Sequence, residues 1–490
     1  MQMYINGRFT TGQAQETIQV INPATEEILD EVPRGTAGDA AEAVKAAAGA
    51  FTGWKRMPAW ERAGMLHEAA NKVQAHEEAL TRLLTEEEGK PYTENEEEIF
   101  WTYDTFHYYA ELGRHDRGRF IPPGDPDQIN FVIKEPYGVA ACITPWNYPL
   151  LLLAWKLAPA LAAGNTVVIK PSEYTPLSTL RLIEIAFDHL PPGVVNVVTG
   201  YGPEAGESLV VHPHVPLIAF TGSEATGMRI ASLAAPMMKK VHLELGGKDP
   251  FVLAPDIIES VGMATAVSAV AYAGLINTGQ VCTSSERIYV HESHFGRFSE
   301  ELADFVSSLR LGSGLDPQTD IGPMIRDSFR EKVEGQLAEA VKAGARVLVG
   351  GKRPPAFVKG FFLEPAVLIN VNHEMSLMQE ETFGPLLPIM PYKTFDEAIA
   401  LANDTRFGLG ASLMTGDARL VKRFYEEVKA GTIWINDPLT DNFAGPFGGM
   451  KMTGGGRELG QEGLDEFYEV KHVHWDVEGK LKDYWYPYGR

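Results

Sequence analysis

The chain carries two cysteines among its 490 residues, and one of them, Cys282, stands in the run Gly279-Gln280-Val281-Cys282-Thr283-Ser284-Ser285-Glu286-Arg287. A thiolate is a strong nucleophile when its pKa is lowered or a base stands beside it, so a cysteine in a small-residue, glycine-flanked segment could be a covalent catalyst. Taken alone, it could also be a small core residue. Cys142, inside the apolar run 139–143, reads as core. Other segments have residue types suited to a nucleotide. Phe220-Thr221-Gly222-Ser223-Glu224-Ala225-Thr226-Gly227 reads as a strand ending in a small-residue turn that opens a helix. Exposed backbone N–H groups and the helix dipole could receive a pyrophosphate there. Lys170-Pro171-Ser172-Glu173 follows another strand-like run; a lysine and a carboxylate can both hydrogen-bond ribose hydroxyls, although a strand-to-helix turn broken by proline reads equally well. Gly200-Tyr201-Gly202-Pro203-Glu204-Ala205-Gly206 departs from the dinucleotide fingerprint by one residue and serves as well as a plain turn.

Groups of this kind need a sheet whose strand ends bring them together. Between residues 139 and 253 short apolar runs (139–143, 166–169, 194–198, 217–220 and 241–245) alternate with helical segments, the pattern of a parallel, doubly wound sheet. A second alternation from residue 260 to about 434 contains Gly344-Ala345-Arg346-Val347-Leu348-Val349-Gly350 and Gly431-Thr432-Ile433-Trp434-Ile435-Asn436, and predicts a separate α/β domain. Residues 37–84 have helical periodicity, interrupted near Met57-Pro58. Residues 119–135 hold Pro122-Pro123-Gly124-Asp125-Pro126 and then an alternating run that does not fit a buried parallel sheet; they read as an arm. Residues 468–475 alternate similarly and lead to the aromatic tail Tyr484-Trp485-Tyr486-Pro487-Tyr488. Exposed edges of this type need partners, which predicts oligomerisation.

At this length two or three domains are expected. A hydrophobic content of 44% with 22% charged residues is ordinary globular composition. No stretch approaches the roughly 18 apolar residues of a membrane span. The start Met1-Gln2-Met3-Tyr4-Ile5-Asn6-Gly7-Arg8-Phe9 lacks a basic region followed by an apolar one, so no secretory signal is predicted; with few cysteines, a cytoplasmic setting is expected. A formal charge of −22 opposes binding to nucleic acid or acidic membranes. The acidic runs Glu86-Glu87-Glu88 and Glu94-Asn95-Glu96-Glu97-Glu98 read as solvated helix faces. No metal site is predicted.

Taken together and in order, the motifs resemble the aldehyde dehydrogenase superfamily, in its NAD(P)-dependent, non-acylating branch. The resemblance rests on Thr144-Pro145-Trp146-Asn147-Tyr148-Pro149, Lys170-Pro171-Ser172-Glu173, Phe220-Thr221-Gly222-Ser223, Leu243-Glu244-Leu245-Gly246-Gly247-Lys248, the Cys282 segment, Glu380-Glu381-Thr382-Phe383-Gly384-Pro385 and Pro446-Phe447-Gly448-Gly449-Met450-Lys451. It implies an α/β chain with two doubly wound domains, a Rossmann-like cofactor domain and a catalytic domain, and a β oligomerisation arm. The expected division is 1–118 and 139–246 for NAD binding, 247–450 for catalysis, and 119–138 with 465–490 for the arm and C-terminal tail, assembled as a homodimer or homotetramer.

The same resemblance implies that Cys282 is the nucleophile, Glu244 the general base and Asn147 an oxyanion donor together with the Cys282 backbone N–H. Lys156 and Glu458 match positions proposed to carry protons away from the base, although an ordinary buried ion pair fits them too. Glu244 could instead pair with Lys248, and Asn147 could cap the helix starting near Pro149. For the cofactor, Lys170 and Glu173 are expected at the adenosine ribose, Ser223 at the pyrophosphate, and Glu381 with Phe383 around the nicotinamide; Ile143, Thr144, Trp146, Ser172, Gly222 and Gly246 complete the expected site. A carboxylate at Glu173 would repel a 2′-phosphate, so NAD is expected over NADP. Tyr148, Leu152, Trp155, Val281, Thr283 and Phe443 are the expected substrate pocket, for a small-molecule aldehyde. Tyr148 and Trp155 could form an aromatic wall for a cationic aminoaldehyde such as betaine aldehyde. Apolar and aromatic aldehydes stay open, as do two other readings, a CoA-acylating relative and a catalytically silent scaffold.

Overall fold

The computed structural model describes residues 1–115 and 118–488. Asp116 and Arg117, within the expected 1–118 unit, and Gly489 and Arg490, at the end of the expected tail, lie outside the described residues. Two seven-stranded sheets dominate. The first runs in the order Lys240–Glu244, Leu217–Thr221, Val139–Ile143, Thr166–Lys170, Val195–Val197, Met3–Ile5 and Arg8–Thr10. Its first five strands are parallel, and the two N-terminal strands extend it antiparallel. Val139–Ile143, Thr166–Lys170 and Leu217–Thr221 are buried at every position, as expected where helices cover both faces of a parallel sheet. The register sets Ile143 opposite Lys170 and Phe220, and Thr221 opposite Glu244. The strands therefore end level with one another, and the motif-bearing turns leave from one edge.

Helix Pro149–Ala163 packs between this sheet and helix Tyr92–His115. Pro149 presets the first turn, and Gly164 closes the helix with φ 98°. The helix is apolar on all sides, and Lys156 is its one charged residue, fully buried. A cation there must be paired. The N-terminal helices break where expected, Ala37–Arg56 giving way to Ala59–Ala75 across Met57-Pro58.

The second sheet has the order Arg346–Val349, Ala366–Ile369, Leu386–Tyr392, Arg287–His291, Pro250–Leu253, Gly410–Met414 and Thr432–Ile435, parallel except for its first strand. A third, antiparallel sheet joins Arg119–Ile121, Gln128–Pro136 and Tyr468–Asp476. Its surface is open, with Phe120 at 80% and Val470 at 68% exposure. Tyr484, Trp485, Tyr486 and Tyr488 of the tail are also exposed. Among the described residues no helix is long and apolar enough to cross a membrane.

Candidate active site

Cys282 lies between helix Met263–Leu275 and strand Arg287–His291, just after a turn in which Asn277 (φ 48°), Thr278 (φ 59°) and Gly279 (φ 72°) are all left-handed. That conformation costs roughly 1–2 kcal/mol for each residue with a side chain, so surrounding bonds must hold it. Asn277 N–H donates to Glu94 Oε2 at 2.8 Å, its Nδ2 to Glu88 Oε1 at 2.9 Å and to the Asn147 carbonyl at 3.0 Å. Thr278 Oγ1 donates to the Gly322 carbonyl at 3.0 Å, and Gln280 Nε2 to that of Asn277 at 3.0 Å. A side chain at Gly279 would meet the Gly384 carbonyl at 2.4 Å. The turn sets Cys282, half-buried, in the lining of two cavities at once. Burial raises the thiol pKa well above its ordinary value, and the acids Glu244, Asp249, Glu381 and Asp441 push it the same way.

Asn147 precedes the helix at Pro149 without capping it. Its Nδ2 donates to the Gln280 carbonyl at 3.0 Å, while the helix N–H groups of Leu150 and Leu151 go to Glu98 Oε1 at 2.9 and 3.1 Å. Glu244 ends its strand fully buried, with the Thr221 side chain beside its carboxyl. Burial pushes its pKa well up, repulsion from Glu458 adds to this, and the Lys156 charge pulls it back. Glu244 does not pair with Lys248, which donates instead to Glu286 at 2.6 Å and Thr382 at 3.0 Å. Behind the base, Lys156 Nζ donates to Thr221 Oγ1 at 2.5 Å and to Glu458 Oε1. Thr221 is the register neighbour of Glu244, so the ion pair reaches the base across one strand pairing. Lys156 and Glu458 line neither cavity.

The larger cavity, about 620 Å³, is lined by every residue expected at the cofactor: Ile143, Thr144, Trp146, Lys170, Ser172, Glu173, Gly222, Ser223, Gly246, Glu381 and Phe383, with Asn147, Glu244 and Cys282. Lys170 Nζ donates to Glu173 Oε2 at 3.3 Å; burial lowers the Lys170 pKa and Glu173 opposes this. Ser223 caps the helix Glu224–Ala234, accepting from Thr226 N–H at 3.4 Å. Glu381 accepts from Gly247 N–H at 3.3 Å, and burial, then repulsion from Glu286, raises it to about 7. A side chain at Gly246 would meet that carboxylate at 2.3 Å. The Glu381 segment is held from behind by Glu286, which accepts from the N–H groups of Thr382 at 2.8 Å and Phe383 at 2.7 Å. These features fit a dinucleotide: a lysine–carboxylate pair for ribose, a helix N-terminus in the cavity wall for pyrophosphate, and a carboxylate and an aromatic ring in the wall that Cys282 shares. Sequence reasoning missed Phe329 and Lys332 in this lining. They come from helix Asp327–Lys342, which bears no motif.

The smaller cavity, about 140 Å³, is lined by Tyr148, Leu152, Trp155, Val281 and Thr283 as expected. Phe443 is absent from that wall, a correction: its ring packs on Trp101 at 4.1 Å between centroids and on Tyr108 at 6.2 Å, so it supports the lining through Trp101. Trp101, Tyr272 and Phe447 add aromatic faces, and Glu94, Glu97, Glu98 and Asp441 add carboxyls, with no arginine or lysine among the lining residues. Burial pushes Asp441 and Glu94 up to about 7. The acidic runs are therefore not simply solvated faces. Glu87, Glu88 and Glu98 are buried, with Glu87 accepting from the helix N–H groups of Leu177 and Ser178 at 2.5 and 3.0 Å. Helix periodicity turns part of each run inward, where a helix N-terminus or a lysine receives the charge.

The Aldehyde dehydrogenase family model matches residues 9–473. The chain is 38% identical over 470 residues to the mitochondrial succinate-semialdehyde dehydrogenase of Arabidopsis thaliana, covering 96% of this chain and 88% of that one. It is 39% identical over 480 residues to aminoaldehyde dehydrogenase 2 of Zea mays, covering 96% and 94%. Among solved structures, betaine aldehyde dehydrogenase from Staphylococcus aureus in complex with NAD+ superposes with a TM-score of 0.96 at 38% identity, over 99% of this chain and 96% of that one. With two doubly wound sheets, a cysteine at the junction of two cavities and these matches over nearly its whole length, the chain belongs to the aldehyde dehydrogenase family.

Proposed function

We propose that this chain oxidises cationic aldehydes to carboxylic acids with NAD. The observation that carries the reading is the position of Cys282, a residue shared between the lining of a cavity suited to a dinucleotide and that of a smaller one walled by aromatic rings and carboxyls. NAD, when bound, supplies the hydride acceptor, and Lys170, Glu173, Ser223, Glu381 and Phe383 would hold it. The Cys282 thiol gives up its proton to water in the cavity as its sulfur adds to the aldehyde carbon, and the oxyanion so formed accepts hydrogen bonds from the Asn147 amide and the Cys282 backbone N–H. Loss of hydride leaves a thioester on Cys282. Glu244, its pKa raised by burial, then takes a proton from the water that cleaves the thioester. The proton that Glu244 takes up would leave by way of the Thr221 hydroxyl toward the Lys156–Glu458 pair.

Cation selection is supported by Trp101, Trp155, Tyr272 and Phe447 together with Glu94, Glu97 and Asp441 in the smaller cavity. Several relatives are named aminoaldehyde or betaine aldehyde dehydrogenases. Segments 1–118 and 139–246 serve as the cofactor domain and 247–450 as the catalytic domain, with the exposed arm and tail, 119–138 and 465–490, as the oligomer contact of a homodimer or homotetramer. An NADH-formation screen over aliphatic, aromatic, amino and carboxyl-bearing aldehydes tests the reading, with and without CoA. Preference for a carboxyl-bearing aldehyde, or a strict need for CoA, contradicts it.

A further inference from the structure

We propose that Lys90 is a positioning residue for the oxyanion site, locking the backbone of Asn147 to the turn that presents Cys282; the inference rests on the roles proposed above for those two residues. Lys90 lines neither cavity, and its side chain is wholly buried. Its ammonium donates to Glu98 Oε2 at 2.5 Å and to the Asn147 carbonyl at 3.2 Å, lies 3.2 Å from Glu88 Oε2, and sits 3.7 Å from the centre of the Tyr148 ring.

Each of those partners leads to the reacting groups. Glu98 uses its other oxygen to accept from the N–H groups of Leu150 and Leu151, which fixes the start of the helix that follows Asn147. Glu88 uses its other oxygen to accept from Asn277 Nδ2, in the left-handed turn before Cys282. Asn277 Nδ2 closes the circuit on the same Asn147 carbonyl, at 3.0 Å. One peptide oxygen therefore has a donor from the connection between helices Glu77–Glu88 and Tyr92–His115 and a donor from the cysteine turn. Both halves of the oxyanion site, the Asn147 amide and the backbone at Cys282, are held by one buried charge.

Stability alone is a weak reason for this arrangement. Buried ion pairs are often matched or bettered by apolar residues of similar volume, because desolvation offsets the attraction. Positioning is a stronger reason: an error of about 1 Å in a catalytic group can slow a reaction by roughly a hundredfold. An apolar residue at position 90 could fill the space but could not donate to the Asn147 carbonyl. The ring contact adds a consequence for Tyr148. One of its faces already carries a cation, so it is oriented by Lys90 as well as by the cavity.

The test is single-turnover NADH formation from betaine aldehyde and from propanal, in wild type, Lys90→Met, Asn147→Ala and the double variant. Lys90→Met is expected to slow the burst by roughly 10- to 100-fold with both aldehydes, with NAD affinity unchanged within about threefold. Because Lys90 acts through Asn147, the double variant should be no more than about twofold slower than Asn147→Ala. Multiplying losses would overturn the inference, as would a full burst in Lys90→Met. Should Lys90→Met fail to fold, Asn277→Gly leaves Lys90 with Glu88 and Glu98, accepts the φ of 48° without strain and removes the amide that links the turn to Asn147 and to Glu88. It is expected to give the same non-additive slowing, and an unchanged burst there overturns the inference. A wild type with no burst from either aldehyde would overturn the proposed function together with this one, whereas a normal wild-type burst retained in the variants would overturn this one alone.

Discussion

The side-chain amide of Asn147 donates to the carbonyl of Gln280 at 3.0 Å, so the proposed oxyanion donor is tied to the peptide segment that carries Cys282. A primary amide has two N–H bonds. One aligns the group on the loop, and the other is available to a developing oxyanion. Asn147→Ala should therefore slow NADH formation by about 10²–10³-fold, the usual cost of one oxyanion donor. A stopped-flow burst slowed less than about tenfold would remove Asn147 from that role.

Cys282→Ala should abolish turnover and leave NAD binding intact, since the remaining lining of the larger cavity is unchanged. Glu244→Gln should separate the half-reactions: a burst of about one NADH per site, then a stall while the thioester waits for an activated water. Quenched-flow trapping of acyl-enzyme checks this. Steady turnover at the wild-type rate in Glu244→Gln would assign the base elsewhere.

Cation preference should depend on pH. Asp441 and Glu94 are pushed up to about 7, so they are charged above that pH and neutral below it. Betaine aldehyde keeps its charge throughout, and 3,3-dimethylbutanal is its neutral isostere. The ratio of their kcat/KM values should favour the cation by about tenfold or more near pH 8 and fall as pH drops below about 7. Asp441→Asn should flatten the profile. The same shift has a stability sign. A carboxyl whose folded pKa is above its unfolded value favours folding in its protonated form, and that contribution is lost as pH rises through about 7. Asp441→Asn should thus raise Tm at about pH 8 relative to wild type, and by less at about pH 4.

Cofactor choice should turn on Glu173, whose carboxylate holds Lys170 at 3.3 Å in the cavity wall. Glu173→Gln removes the charge that repels a 2′-phosphate and leaves Lys170 to attract it. The NADP-to-NAD ratio of kcat/KM should rise by about tenfold or more, equivalent to at least about 1.4 kcal/mol. An unchanged ratio would place the discrimination on other residues.

Lys156→Met should cost about 3–5 kcal/mol of stability, because it leaves the Glu458 carboxylate buried without its partner. It should also move the alkaline-rising limb of thioester hydrolysis to higher pH, since Lys156 is the charge that pulls the Glu244 pKa down. Thermal unfolding measures the first effect and single-turnover deacylation across pH the second. A stable variant with an unmoved limb would reduce Lys156–Glu458 to a bystander.

Much of the fold was legible because parallel strands buried on both faces leave continuous apolar runs. The strands at 139–143 and 217–221 stand within a residue of where those runs lie. Thr144, Ser172, Glu173, Gly222, Ser223 and Gly246 follow such a run, whereas Glu381 and Phe383 precede strand Leu386–Tyr392 and were legible only through the resemblance of their motif. The acidic side of the smaller cavity was not. Glu94 and Glu98 belong to a run of charges, and only the packing of helix Tyr92–His115 against helix Pro149–Ala163 decides which of them turn inward. Asp441 lies in a loop without periodicity, and Phe443 differs from it in facing only by local chain direction, which no residue pattern encodes. Lys90 gave no signal because a single lysine beside glutamates reads as surface until its burial is known.

Among the described residues only Cys282 and Leu152 line both cavities. The two recognition tasks of this chain are therefore nearly independent in sequence. Substitutions at Trp101, Tyr272, Leu439 or Asp441 can redirect the choice of aldehyde without altering a residue that lines the cofactor cavity. A lineage, or a designer, can explore new substrates along one set of positions while the apparatus for redox exchange is inherited unchanged.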